Sequence, residues 1–140
     1  KWWKPVLDAQ FDHPDQEPAV LHWPNNVKLK LPWPSTWVTA YRLRKNNNRN
    51  IIGISTGGRA FADQELISKL EPFRDSILSE LPDGTMFRKS QLSDSYVYIT
   101  QRDASEFSSD QECTDWIIRS LNCYINALRP RIKQIIDSSH

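Results

Sequence analysis

The sequence predicts an α+β fold: a two-layer sandwich of a mainly antiparallel five-stranded sheet with two helices on one face. Three observations carry this. Short runs alternate apolar and polar residues at the period of a strand. Two longer runs repeat apolar residues at the period of a helix. The elements fall in the order βββ-α-ββ-α, and hairpin-linked strands with two amphipathic helices are satisfied by one covered sheet face. The chain has 140 residues, 39% hydrophobic and 25% charged, which suits one domain with a real core.

Residues 1–25 read as an irregular, acidic arm packed on a domain spanning 26–140. Pro5, Pro14, Pro18 and Pro24 argue against a long regular element there. Trp2, Trp3 and Trp23 supply the apolar area that can pin such an arm down. Val27 to Leu31 then alternates apolar and basic residues and is closed by Pro32-Trp33-Pro34-Ser35. Trp37 to Arg44 alternates again, with Trp37, Thr39, Tyr41 and Leu43 on one face and Val38, Ala40, Arg42 and Arg44 on the other. The asparagine-rich run 45–50 predicts a polar hairpin connection. Ile51 to Thr56 is apolar on both faces, as a central strand should be.

Gly57-Gly58 is expected to end the sheet. A helix follows from about Ala62 to Leu81, its stripe formed by Leu66, Leu70, Phe73, Ile77 and Leu81; Pro72 interrupts the pattern, so a kink or a restart is expected near Glu71. Pro82-Asp83-Gly84 turns the chain into strands at Thr85 to Lys89 and Tyr96 to Gln101, joined around Ser93-Asp94-Ser95. The last helix opens on Ser109-Asp110-Gln111-Glu112, a capping-box pattern. Ile117, Leu121, Tyr124, Leu128, Ile132 and Ile135 hold one face, and Pro130 is expected to bend or split it.

Several function classes lose support at once. No apolar run reaches the roughly 20 residues that cross a bilayer, so no membrane role is expected. Cys113 and Cys123 lie ten positions apart on one helix, about 15 Å along its axis, too far for a disulfide. They read as small buried hydrophobes of a reducing, cytoplasmic compartment. His13 and His22 sit among Asp8, Asp12, Asp15 and Glu17, but no metal-ligand spacing is present, and no metal or other cofactor is expected. No serine is expected to sit in the Gly-x-Ser-x-Gly elbow of a Ser-His-Asp hydrolase.

Two weak chemical signals remain. Gly57, Gly58 and Arg59 occupy an expected strand-to-helix turn, where amides and a guanidinium can attract an anion, although the Walker spacing is missing. Asp15 with Asn26-Val27-Lys28 echoes the acid-acid-lysine order of a metal-dependent nuclease, but Asn26 replaces the second acid and cannot bring its charge to a divalent ion. No catalytic residue is assigned.

Charge distribution says more. The net charge is +1, yet from Asn26 to Arg59 there are seven basic residues and no acid, whereas Pro5 to Val27 has four acids and no Lys or Arg. Alternation sets Lys28 and Lys30 on one strand face and Arg42 and Arg44 on one face of the next. Both pairs are expected on an open sheet face, joined by Arg88, Tyr96 and Tyr98. Cations that hold phosphates and rings that stack on bases are what a single-stranded nucleic-acid surface requires.

Trp37 to Arg44, the strand Ile51 to Thr56, the helix ending Ile77-Leu78-Ser79-Glu80-Leu81 and the closing Leu128-Arg129-Pro130-Arg131 together resemble a bacterial domain family of unknown function. Its members are often found C-terminal to a restriction-endonuclease-like nuclease domain. The resemblance implies a fragment of a longer, cytoplasmic, nuclease-associated or defence-type protein, with that nuclease-like domain as a partner in the same chain. It transfers no catalytic residue. The expected function is a non-catalytic accessory module contacting nucleic acid. A protein-interaction or structural domain and a small metal-dependent nuclease are the alternatives.

Overall fold

A computed structural model describes residues 2–44, 50–58, 65–90 and 95–138. Six strands form one open sheet: β1 (Val20–Trp23), β2 (Asn26–Lys30), β3 (Thr36–Arg44), β4 (Asn50–Gly58), β5 (Met86–Lys89) and β6 (Tyr96–Asp103). Their spatial order is β1-β2-β3-β4-β6-β5, and every neighbouring pair is antiparallel. The described helices are α1 (Lys4–Asp8), α2 (Glu65–Leu70), α3 (Arg74–Glu80) and α4 (Asp110–Ser138), with 3-10 turns at Glu71–Phe73 and Ala104–Glu106. The α+β class and antiparallel sheet are as expected, with six strands in place of five. The expected asparagine turn, the first residues of the second-layer helix and Ser93-Asp94 lie outside the described residues.

The extra strand is β1, inside the segment read as irregular. Pro18 and Pro24 bracket it without interrupting it, so no ladder hydrogen bond is lost within the strand. Val20 pairs with Lys28 and Leu21 with Val27. The arm that leads to β1 is tied to α4. The Asp12 amide donates to Asn122 Oδ1 at 3.0 Å, and Asn122 Nδ2 returns a bond to Asp12 Oδ2 at 2.7 Å. Arg129 donates to Gln16 Oε1 and to the Asp15 carbonyl. Trp3 is buried, and its indole N–H reaches the Pro24 carbonyl at 3.1 Å. Trp23, by contrast, is 63% exposed and anchors nothing.

Helices α2, α3 and α4 cover one sheet face. Val27, Leu29, Val38, Ala40, Ile52 and Ile54 from the sheet are buried with Leu66, Leu70, Ile77, Ile117, Leu121, Tyr124 and Leu128 from the helices. Each of the Val, Leu and Ile side chains among them contributes about 1.5–3 kcal/mol when fully buried. Pro72 has the expected effect: α2 stops at Leu70, a 3-10 turn follows, and α3 restarts at Arg74. Pro130 does not split α4, which is assigned as one helix of 29 residues. Beside that proline, Arg131 donates to the Ala127 carbonyl and grips both oxygens of Glu80, tying α4 to α3. At the other end Ser109 caps the helix by accepting the Glu112 amide, while the Glu112 carboxylate turns to the Ser108 hydroxyl instead of closing the box.

Helix and sheet are also joined through hydroxyls. Tyr124 OH, on α4, lies 2.7 Å from Thr100 Oγ1, which lies 2.6 Å from Thr85 Oγ1, and Thr85 donates to the Pro82 carbonyl. Tyr124 is fully buried and its phenol is pushed far up by desolvation, so it acts as a neutral structural hydroxyl.

Candidate functional site

The face of the sheet turned away from the helices is built from alternate residues of each strand. Three rows of paired residues cross it. Lys30, Trp37 and Gly57 form the first; Lys28, Thr39, Ser55 and Ile99 the second; Asn26, Tyr41, Gly53 and Gln101 the third. Arg88, on β5, belongs to the same face through its pairing with Val97.

Two aromatic rings lie across this surface. A Cβ placed on Gly53 would fall 2.2 Å from Tyr41 Cζ, so the phenol occupies the space above that glycine. Its oxygen then accepts a hydrogen bond from Gln101 Nε2 at 2.8 Å, two strands away. Trp37 leans the same way: a Cβ on Gly57 would fall 2.8 Å from the indole Nε1. Both glycines are needed for close approach, because any side chain would lift a ring off the backbone.

Cations flank the rings. Lys28 Nζ lies 3.7 Å from the centre of the Trp37 ring, and partial burial lowers its pKa. Lys30 is exposed, and Arg88 is half-buried. Tyr41 has its pKa raised by burial; the Gln101 bond and the Arg88 charge pull it partly back. No described carboxylate lies within ion-pair distance of Lys28, Lys30 or Arg88. Asp103, at the rim, accepts the Ser105 amide as part of a 3-10 cap.

The expected cluster is divided by the sheet. Lys28, Lys30 and Arg88 lie on the open face, but Arg42, Arg44, Tyr96 and Tyr98 lie on the helix side. The small residues Val38 and Ala40 fit beneath α4, which turns Trp37 and Tyr41 outward and carries Arg42 and Arg44 to the inner side. The Arg42 guanidinium stacks 3.8 Å above Trp2, at the rim of a cavity of about 240 Å³ reaching Cys113. Tyr98 is 1% exposed and belongs to the core. Tyr96 is more open, but its ring is stacked on Phe87. Thus the rings expected to meet bases lie on the helix side, and the rings that the central strands carry on the open face are Trp37 and Tyr41.

The glycine turn is also different from expectation. β4 continues through Gly57 and Gly58, which pair with Trp37 and Thr36, so these amides sit in a strand and not at a helix start. Arg59 lies outside the described residues. The expectation about Gly-x-Ser-x-Gly needs correction: Gly53-Ile54-Ser55-Thr56-Gly57 has the spacing of a nucleophile elbow. It lies in extended strand, paired with β3 throughout and with β6 as far as Ser55, not at a strand-to-helix turn, so Ser55 is not presented as that motif requires.

The acids and histidines of the arm are scattered among separate contacts. Asp8 pairs with Lys4, Asp12 with α4, and His13 Nδ1 accepts the Asp15 amide, while His22 packs edge-on to Trp23. Among the described residues, no three His, Cys, Asp or Glu side chains are grouped to hold a metal ion. Nor is any described helix long and apolar enough to cross a membrane.

Trp37 and Tyr41 were not among the residues expected at the site, although one signal could have pointed to them. A glycine at every fourth position of β4, beside Trp37 and Tyr41 at the same interval on β3, is the pattern of rings laid over a strand.

The chain matches no family model, no curated protein and no solved structure. The chemistry of the open face is therefore its own guide. It offers two flat rings, two hydroxyls between them, and three cations along the edges.

Proposed function

We propose that this domain is a non-catalytic module that binds single-stranded nucleic acid on its open sheet face. The observation that carries the reading is the pair Trp37 and Tyr41, laid across Gly57 and Gly53 beside Lys28, Lys30 and Arg88. Rings stack on unpaired bases at about 1–3 kcal/mol each, without regard to base identity. Three cations add phosphate contacts, which makes binding modest and salt-dependent. We propose a setting beside a nuclease-like domain in a longer bacterial chain, on the likeness of the sequence segments described above alone.

The test is a fluorescence-anisotropy titration of labelled oligo-dT and oligo-U at low salt. Binding should appear with both and weaken steeply as salt rises. Replacing Trp37 and Tyr41 together by alanine should abolish it while circular dichroism stays unchanged. Absence of binding by the intact chain at low salt would overturn the proposal.

A second reading rests on β1. This edge strand exposes Val20, Leu21 and Trp23 and carries no Lys, Arg, Asp or Glu, unlike the other edge, β5, which carries Arg88 and Lys89. An apolar, uncharged edge can pair with another protein strand. This would make the domain an interaction module.

A further inference from the structure

We infer that the open face takes a three-nucleotide unit: the first and third bases stack on Trp37 and Tyr41, and the middle nucleotide lies over Lys28, Thr39 and Ser55 without its base being read. This rests on the nucleic-acid reading above and specifies its ligand.

The spacing comes first. Trp37 and Tyr41 are four residues apart on β3, and the glycines beneath them are four apart on β4. At the strand rise the two rings are about 13 Å apart. Stacked bases advance only about 3.4 Å per nucleotide. Adjacent bases that stay stacked fall far short of that gap, so the arrangement that fits places one nucleotide between the two that stack.

What lies between the rings has the chemistry of a backbone contact. The middle row places Lys28 opposite Thr39, and Thr39 opposite Ser55, midway between the rows of Trp37 and Tyr41. It offers a cation and two hydroxyls, and no ring. Phosphate and sugar are satisfied there, whereas a base would find no stacking partner.

Lys28 has a second part in this arrangement. Its ammonium rests on the Trp37 ring at 3.7 Å. A base can use that face only when the lysine lifts away. The released ammonium then lies level with the intervening phosphate, so one cation–ring contact is replaced by a base–ring contact and a cation–phosphate contact. Among the described residues no cation is stacked on the Tyr41 ring, so a base meets no such competitor there.

The experiment is a chemical-shift titration of the intact chain with dT2, dT3 and dT4 at low salt, repeated with abasic residues. The trinucleotide should bind about five-fold or more tightly than the dinucleotide, since a second ring becomes engaged. An abasic site at either end of dT3 should remove that gain, and one in the middle should change affinity less than two-fold. Trp37→Ala and Tyr41→Ala should each reduce dT3 to the level of dT2, and Tyr41→Phe should retain most of the binding. A middle abasic site as costly as an end one, or no step between dT2 and dT3 while longer strands still bind, would overturn the three-nucleotide unit and leave the broader proposal standing. Failure of a long oligonucleotide to bind would instead remove both.

Discussion

The Tyr41 ring occupies the volume that a side chain at Gly53 would fill, with only 2.2 Å between its Cζ and the position of a Cβ there. The two residues are directly paired across β3 and β4. Ring and glycine therefore form one unit.

That unit can be measured. Gly53→Ala should cost about 1–3 kcal/mol in urea unfolding, because the ring is forced off its seat and the Gln101 bond is strained. In a Tyr41→Ala background the same change should be close to neutral. Equal costs in both backgrounds would show that the two positions are uncoupled.

Charge reversal should separate the two sides of the sheet. Lys28→Glu with Lys30→Glu should lower oligonucleotide affinity at least ten-fold at low salt and flatten the log-log salt slope by about two. Arg44→Glu, on the inner side, should change affinity less than two-fold. Arg42→Glu should show its effect in stability, through loss of the stacking on Trp2, by about 0.5–1 kcal/mol. Equal loss of binding from both pairs would mean that the ligand reaches around the sheet edge.

Tyr98→Ala is expected to act on the fold. The side chain is buried against Phe87 in the core, so truncation should cost about 3–5 kcal/mol and broaden every amide resonance of the sheet. A fully folded variant with weakened binding would contradict this placement.

Stability should fall in alkaline solution. Burial pushes the Cys113 thiol up to about 11 from an ordinary value of 9.0. The unfolded chain thus loses this proton first. Below pH 9 both states hold it and the stabilisation is fully present; as pH rises towards 11 it is progressively lost. Tyr98, raised to about 12, extends the decline above pH 10. Urea unfolding at pH 8 and pH 10.5 under reducing conditions should show the fall, and Cys113→Ala should reduce it. An unchanged pH dependence in that variant would mean that the thiol does not contribute.

Strand positions were legible because alternation survives in short, half-buried strands: β2, β3, β5 and β6 begin within a residue of the expected positions. The side each strand turns to the core was harder to read. In β3 both faces carry apolar residues, and ring size favours the aromatic set, yet space beneath α4 selects Val38 and Ala40. That single choice moved Arg42 and Arg44 away from Lys28 and Lys30. β1 was missed because Pro18 and Pro24 read as breakers, although both stand outside the strand. The rings over glycine depend on the register of β3 with β4, which alternation alone does not specify.

The ties between the arm and α4 also bear on the order of assembly. Asp12 bonds to a side chain 110 positions later, and Arg129 reaches back 113 and 114 positions to residues 16 and 15. Such closures cost loop entropy that is recovered only when both ends are in place. The arm leaves the ribosome well before its docking site on α4, which lies more than a hundred positions later. During synthesis Trp3 and Val6, both buried in the finished domain, must wait in solution until that helix forms. Amide exchange in residues 3–8 should therefore be the last to become protected during refolding, after the sheet from β2 to β6 has closed.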